Sequence, residues 1–323
     1  MDISESLKMQ EKHNVVIFAN TGLEVVKPLY EANINIVGVI ESKDRHTITN
    51  PVKKMLTNIN RFFTGRDKAE SLREYSENRN IPYLTYLDHS PDEVSKWIKE
   101  LNADLMLSHQ APILPPEVFE APKMGSINLH PTLLPKYRGS NPFFWMYYFK
   151  DMTAGITIHK IDQNIDTGSI LIQRSCSVDY GTDADQLERD IVKHLAVPAL
   201  IELIKSYHDE MPTVNQPDSS PTPYAKRMDD DEYRKRIFED GFSIKQFWHL
   251  LHANSQWQSA LIGKHYDPAF DWAIDGYEAL DHNYSVGETL VEKKRIGVAH
   301  HEGMVWFEKR FNFNRYLANR VLS

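Results

Sequence analysis

A chain of 323 residues with 41% hydrophobic and 25% charged side chains has room for one large core and a smaller module. Its net charge of −8 argues against a broad nucleic-acid-binding face, and its single cysteine, Cys176, excludes an internal disulfide and a cysteine-based metal cluster. No apolar run approaches the length of a membrane span and Met1 to His13 is polar, so the protein is expected in the cytoplasm, away from membranes.

Val15 to Ala19 is a short apolar run followed by Asn20-Thr21-Gly22, a helical pattern through Ala32 and a second apolar run from Ile34 to Ile40, which predicts a βαβ opening. The Gly-x-Gly-x-x-Gly of a dinucleotide site is missing after the first strand, so NAD is not expected. From Pro51 to Lys68, Val52, Met55, Leu56, Ile59, Phe62 and Phe63 share the spacing of one helical face, and Lys53, Lys54, Arg61, Arg66 and Lys68 cluster around it. Pro91 to Leu101 reads as a helix, Leu105 to Ser108 and Ser126 to His130 as strands, and Asn141 to Lys150 as an aromatic-rich helix. Ala154 to Ile161 and Ser169 to Cys176 alternate as strands that pair around the loop Asp162 to Gly168. Thr182 or Asp183 can cap a helix running to about Tyr207, with Leu187, Ile191, Leu195, Leu200 and Ile204 on its apolar side.

Composition then shifts. Asp209 to Pro223 is rich in Pro, Ser, Asp and Gln, which divides the chain into a catalytic unit over 1–208, a linker over 209–240 and a small β-rich unit over 241–323. Ser243 to Ala253 predicts one more helix, and Asp275-Gly276 and Glu302-Gly303 are hairpin signals between apolar runs. The expected fold is α/β: a Rossmann-like, mostly parallel sheet followed by a smaller strand-rich, open-barrel-like domain.

The chemistry is concentrated in Asn128-Leu129-His130, inside the stretch Gly125 to Gly139, and in Asp166-Thr167-Gly168 downstream. Asn can hydrogen-bond a developing oxyanion, His can carry an amine's proton near pH 7, and Asp can fix the imidazole and raise its pKa. Such a set can move an acyl group from one nitrogen to another without a nucleophilic Ser or Cys. An Asn-x-His alone carries little weight. Here it closes an apolar strand and is followed by an anchored turn, at the kind of strand end where open α/β sheets bind ligands.

Ser126-Ile-Asn-Leu-His-Pro-Thr-Leu-Leu-Pro-Lys-Tyr-Arg-Gly139 and Gly155-Ile-Thr-Ile-His-Lys-Ile-Asp-Gln-Asn-Ile-Asp-Thr-Gly168, with Ile113-Leu114-Pro115 upstream, resemble the folate-dependent formyltransferases. That group contains the glycinamide ribonucleotide, methionyl-tRNA and amino-sugar N-formyltransferases. The resemblance implies Asn128, His130 and Asp166 as catalytic trio and N10-formyltetrahydrofolate as cosubstrate, bracketed by Ala111, Pro112, Ile113, Leu114 and the loop from Asp162 to Gly168. Arg138-Gly-Ser-Asn-Pro-Phe-Phe-Trp145 looks more like the amino-sugar enzymes than the tRNA enzymes. The implied acceptor is then a dTDP- or UDP-linked amino sugar, in modified-sugar biosynthesis such as that of lipopolysaccharide O-antigen. Arg138, Asn141, Phe143 and Tyr224 are the candidate acceptor contacts, and Lys53 and Lys54 the candidates for its diphosphate.

The nearest rival is methionyl-tRNA formyltransferase, which needs a basic C-terminal face. Lys293-Lys294-Arg295 and Lys309-Arg310 are offset by Asp267, Asp271, Asp275, Asp281, Glu288, Glu292, Glu302 and Glu308, which speaks against that face. A ligand-binding protein without catalysis is the rival of another class, and the intact trio speaks against it. His159 reads as a structural residue of its strand. His249 with His252, and His300-His301, lack a His-Glu-x-x-His or third ligand, so no metal is expected. A homodimer stays open as the assembly.

Overall fold

The structure is a computed structural model that describes residues 12–20, 23–42, 70–208, 210–239, 241–253, 261–267 and 269–311. The basic stretch from Pro51 to Lys68, with Lys53 and Lys54, lies outside the described residues.

Strand β1 (Val15–Ala19) is buried at every position, as a central strand covered on both faces must be. Its alternate side chains feed two cores: Val15, Ile17 and Ala19 point to one, Val16 and Phe18 to the other. Helix α1 (Leu23–Glu31) turns Val25, Val26 and Leu29 inward and returns the chain to β2 (Ile36–Glu41). Then follow α2 (Leu72–Glu77), β3 (Tyr83–Thr85), α3 (Pro91–Glu100) and β4 (Leu105–His109). Ser90 and Glu93 form a reciprocal capping box at the start of α3, which satisfies amide donors that the first turn leaves open. Next come α4 (Pro116–Phe119), β5 (Ser126–His130), α5 (Pro142–Tyr148), β6 (Thr153–Lys160) and β7 (Ile170–Ser177).

These seven strands form one sheet in the order β3-β2-β1-β4-β5-β6-β7. The first five pair in parallel, while β6 and β7 are antiparallel. The chain reverses its direction across the sheet between β1 and β4, so a crevice opens beyond the carboxyl ends of β1, β4 and β5. The helix predicted to Tyr207 is interrupted: α6 (Ala184–Ile191), capped by Asp183, passes through a π-helical turn, Val192–Ala196, into α7 (Val197–Ser206). Pro198 explains the interruption, because it has no amide proton to give and its ring would strike the carbonyl of His194 in a regular helix.

The second sheet has the order β8-β11-β10-β9 and is antiparallel throughout. Its strands are β8 (Phe270–Ala279), β9 (Thr289–Glu292), β10 (Arg295–His300) and β11 (Gly303–Phe311). Glu302-Gly303 does close a hairpin, with His300 opposite Gly303. Asp275-Gly276 does not. Trp306 faces Gly276 and Phe307 faces Ile274, so Asp275 is an extra residue in an unbroken β8, and Gly276 (φ 156°) relieves the resulting bulge. Two helices, α8 (Asp230–Glu239) and α9 (Ile244–Leu251), precede this sheet.

Helix α8 falls in the segment read as linker. Tyr233 and Ile237, one turn apart, are both buried, and the Asp229 side chain accepts from the Glu232 amide at 2.8 Å. The preceding stretch is laid along the first sheet: Val214 bridges Ile170, and Ala225 exchanges backbone hydrogen bonds with Arg138 (2.7 Å) and Asn141 (2.9 Å). Among the described residues, no helix is long and apolar enough to cross a membrane.

Candidate active site

Period-two alternation along β5 sends Ile127 and Leu129 into the core and turns Asn128 and His130 to the opposite face. Asn128 is the one partly exposed residue of the strand, and His130 is 3% exposed. The turn that follows brings Gly139 (φ 128°) against Tyr224 and Ala225, within the segment read as linker. A side-chain carbon at Gly139 would lie 2.8 Å from the Ala225 carbonyl oxygen and 2.9 Å from the Tyr224 ring, so neither the conformation nor the space admits another residue.

Asp166 approaches from the loop between β6 and β7, in the left-handed region at φ 55°. Four hydrogen bonds hold that loop. Asp162 accepts from the Thr167 hydroxyl (2.7 Å) and the Asn164 amide (3.1 Å), and the Gln216 side-chain amide donates to the carbonyls of Asp166 (3.1 Å) and Gly168 (2.7 Å). Gly168 packs so closely that an added side-chain carbon would stand 1.8 Å from the Lys160 oxygen.

The Asp166 carboxylate accepts the Gly139 amide proton at 2.9 Å through Oδ2, which also lies 3.5 Å from His130 Nδ1. Its Oδ1 lies 3.7 Å from Nε2 of a second imidazole, His159. These separations are electrostatic contacts rather than formed hydrogen bonds. Burial pushes the pKa of His130 below its ordinary value, against the Asp166 charge and a backbone hydrogen bond with Tyr137. The upward shift expected from Asp166 is therefore present but outweighed, since the sequence does not reveal how completely the ring is enclosed. A buried, neutral His130 is set to accept a proton, and its Nε2 has no hydrogen-bond partner.

These groups line a cleft of about 860 Å³ that the carboxyl ends of β1, β2, β4 and β5 share with the loop from Ile161 to Asp166. Ala111, Pro112, Ile113, Leu114 and Asp162 line it, as do Asn141, Phe143 and Tyr224; Gly168, the last residue of the loop, packs on Lys160 and is not part of the lining. Leu87 (63% exposed) and Ile113 (77%) leave apolar surface open at the cleft. Arg138 is elsewhere. It is buried, and its guanidinium donates to the Gln216 side chain (3.0 Å) and to the carbonyls of Pro217 (2.8 Å) and Asp218 (3.3 Å), anchoring the linker instead of facing the cleft.

Three residues of the cleft escape sequence reasoning. Glu188 sits at the edge of the buried face of α6, one turn after Ala184, accepts from the Gln110 side chain at 2.8 Å and has its pKa raised by burial. Arg227 is the single Lys or Arg among the described residues that line the cleft. Its signal was its place three residues after Tyr224, in Tyr224-Ala-Lys-Arg227. His159 is the third; only the strand register carries it opposite Asn128. Away from the cleft, His300, His301 and Glu302 bring three potential metal ligands within 4.8 Å of one another. Two of them have structural partners: Glu302 accepts from the Ile244 amide at the start of α9 (2.7 Å), and His300 Nδ1 accepts from the Glu302 amide (3.2 Å).

Residues 15–204 match the family model described as formyl transferase. Curated relatives include the methionyl-tRNA formyltransferase of Flavobacterium johnsoniae, 25% identical over 90% of this chain and 89% of that one. That of Flavobacterium psychrophilum is 27% identical over 72% of this chain and 73% of that one. Among solved structures, WlaRD, a sugar 3N-formyl transferase crystallised with dTDP and 5-N-formyl-THF, shares the fold with a TM-score of 0.57 at 15% identity, covering 93% of this chain and 98% of that one.

Proposed function

The chain belongs to the formyl transferase family, and from that premise we propose that it moves a formyl group from N10-formyltetrahydrofolate to the primary amine of a nucleotide-linked amino sugar. The observation that carries the reaction is the unpartnered Nε2 of a buried His130, with Asn128 beside it and Asp166 behind it. Asn128 donates from Nδ2 to the formyl oxygen as the amine attacks and that oxygen turns anionic. His130, held neutral by burial, takes the amine proton on Nε2 and returns it to the departing folate nitrogen. Asp166 stabilises the imidazolium between those two transfers. The apolar surface of Leu87 and Ile113 suits the flat rings of the folate, with Ala111 to Leu114 and the Asp162 to Gly168 loop on either side of the pterin.

For the acceptor, the supporting observation is charge. In the C-terminal sheet Arg295 faces Glu278 (3.5 Å) and Glu292 (3.1 Å), Lys309 faces Asp267 (3.5 Å) and Arg310 faces Glu308 (3.2 Å), a pattern that suits a small substrate better than a polyanion. In this reading Arg227, the one cation of the described lining, meets the diphosphate, and Tyr224, Asn141 and Phe143 of the same lining meet the sugar. The sugar enzyme among the structural neighbours shares its fold over 93% of this chain. The second reading is formylation of methionyl-tRNA, and the names of the sequence relatives favour it over the sugar. One experiment separates the two. Pure protein is incubated with N10-formyltetrahydrofolate and either dTDP- and UDP-linked amino sugars or methionyl-tRNA, and product mass is read. A formylated sugar supports the proposal; formylated tRNA without formylated sugar replaces it with the second reading.

A further inference from the structure

His159 stands opposite Asn128 in the register of β5 and β6 and is 2% exposed. Its Nδ1 lies 2.8 Å from the Lys160 carbonyl oxygen. A carbonyl only accepts, so Nδ1 carries a proton. Burial holds the ring below its ordinary pKa and therefore neutral, which leaves Nε2 as a bare lone pair. That lone pair faces the Asn128 amide at 3.2 Å, and only an N–H can meet it. The orientation of the amide follows from the chemistry: Nδ2 turns toward His159, and the flipped amide would set Oδ1 against the lone pair.

We propose that His159 is the positioning residue that fixes the Asn128 amide, so that the second proton of Nδ2, and not the lone pairs of Oδ1, is offered to the formyl oxygen. The inference rests on the oxyanion role given to Asn128 above. The same tautomer also keeps Asp166 for His130. A proton on His159 Nε2 would point across 3.7 Å to Asp166 Oδ1, leave Asn128 without its partner and compete for the carboxylate. The sequence reading of His159 as a structural strand residue accounts for its burial but not for this chain from the Lys160 carbonyl through both ring nitrogens to Asn128.

The test uses the full chain with N10-formyltetrahydrofolate and a dTDP-linked amino sugar, or methionyl-tRNA if that acceptor is the one that turns over. His159→Leu should lower kcat by about 10- to 100-fold, part of the loss typical of a missing oxyanion donor, with both KM values within about twofold. His159→Gln, whose Oε1 can stand in for the Nε2 acceptor, should recover most of the loss. In an Asn128→Ala background, His159→Leu should change kcat by less than about twofold, because nothing is left to position. Wild-type kcat in His159→Leu, or a full additional loss in the Asn128→Ala background, overturns the proposal. Asn128→Ala at wild-type kcat would instead sink the oxyanion role of Asn128, and the positioning role with it. Should the leucine variant not fold, long-range ¹H–¹⁵N spectra of the wild type decide at neutral pH: Nδ1–H with a bare Nε2 supports the assignment, and Nε2–H or an imidazolium overturns it.

Discussion

Asp166→Asn removes one charge and almost no volume, which isolates the electrostatic role given to the carboxylate. The asparagine Oδ1 can still accept the Gly139 amide proton, so the loop should keep its shape. What disappears is a negative charge 3.5 Å from His130 Nδ1, with both side chains largely withdrawn from solvent. At an effective dielectric constant near 20, such a pair is worth on the order of 4–5 kcal/mol to the imidazolium form. The transition state carries only part of that positive charge, so a loss of about 10²- to 10³-fold in kcat is expected. The pH profile should move as well. Asp166 raises the pKa of His130 and burial lowers it; with the charge removed only the lowering remains, so the limb on which activity rises as His130 deprotonates shifts to lower pH. Formyl transfer measured from pH 5 to 9, with circular dichroism to confirm the fold, reads both effects. A variant with wild-type kcat and an unmoved limb would show that Asp166 only shapes its loop.

Other expectations follow from the same geometry. Gly168→Ala should lower the Tm by several degrees and depress kcat more than either KM, because the methyl group can be housed only by moving the loop that presents Asp166; an unperturbed variant would contradict the packing. Arg227→Gln should raise the KM of a nucleotide-linked acceptor several-fold and flatten its salt dependence while leaving the folate KM in place, and unmoved KM values would remove Arg227 from the diphosphate. Stability should fall as pH drops from about 6.5 toward 4. His109, His249 and His300 have folded pKa values lowered to about 4 by burial, so in that window the unfolded chain binds more protons and stability rises with pH. A Tm that stays flat between pH 7 and 5 would refute this.

What the sequence disclosed depends on how local the physics is. Strand β5 and the residues Asn128 and His130 were legible because apolar and chemistry-bearing side chains alternate over five consecutive positions. Asp166 was legible through the tight Asp-Thr-Gly loop. Asp275-Gly276 misled because a hairpin turn and a β-bulge both call for a residue that tolerates unusual backbone angles, and only the partner strand tells them apart. Arg138 looked like an acceptor ligand until Gln216, far along the chain, was found to hold its guanidinium. His159 carries no local mark of its position, since the register with β5 and the carbonyl of Lys160 decide what each ring nitrogen does. The net pKa shift of His130 has the same origin: burial is a property of the assembled cleft.

The most direct test of the account is the single-turnover rate of formyl transfer from N10-formyltetrahydrofolate in the wild type and in His130→Ala. With the fold intact, the variant should be slower by about 10²- to 10⁴-fold, the usual worth of a positioned proton-transfer group, while still binding the folate. A His130→Ala variant that transfers the formyl group at the wild-type rate would contradict the assignment of the reaction to this cleft.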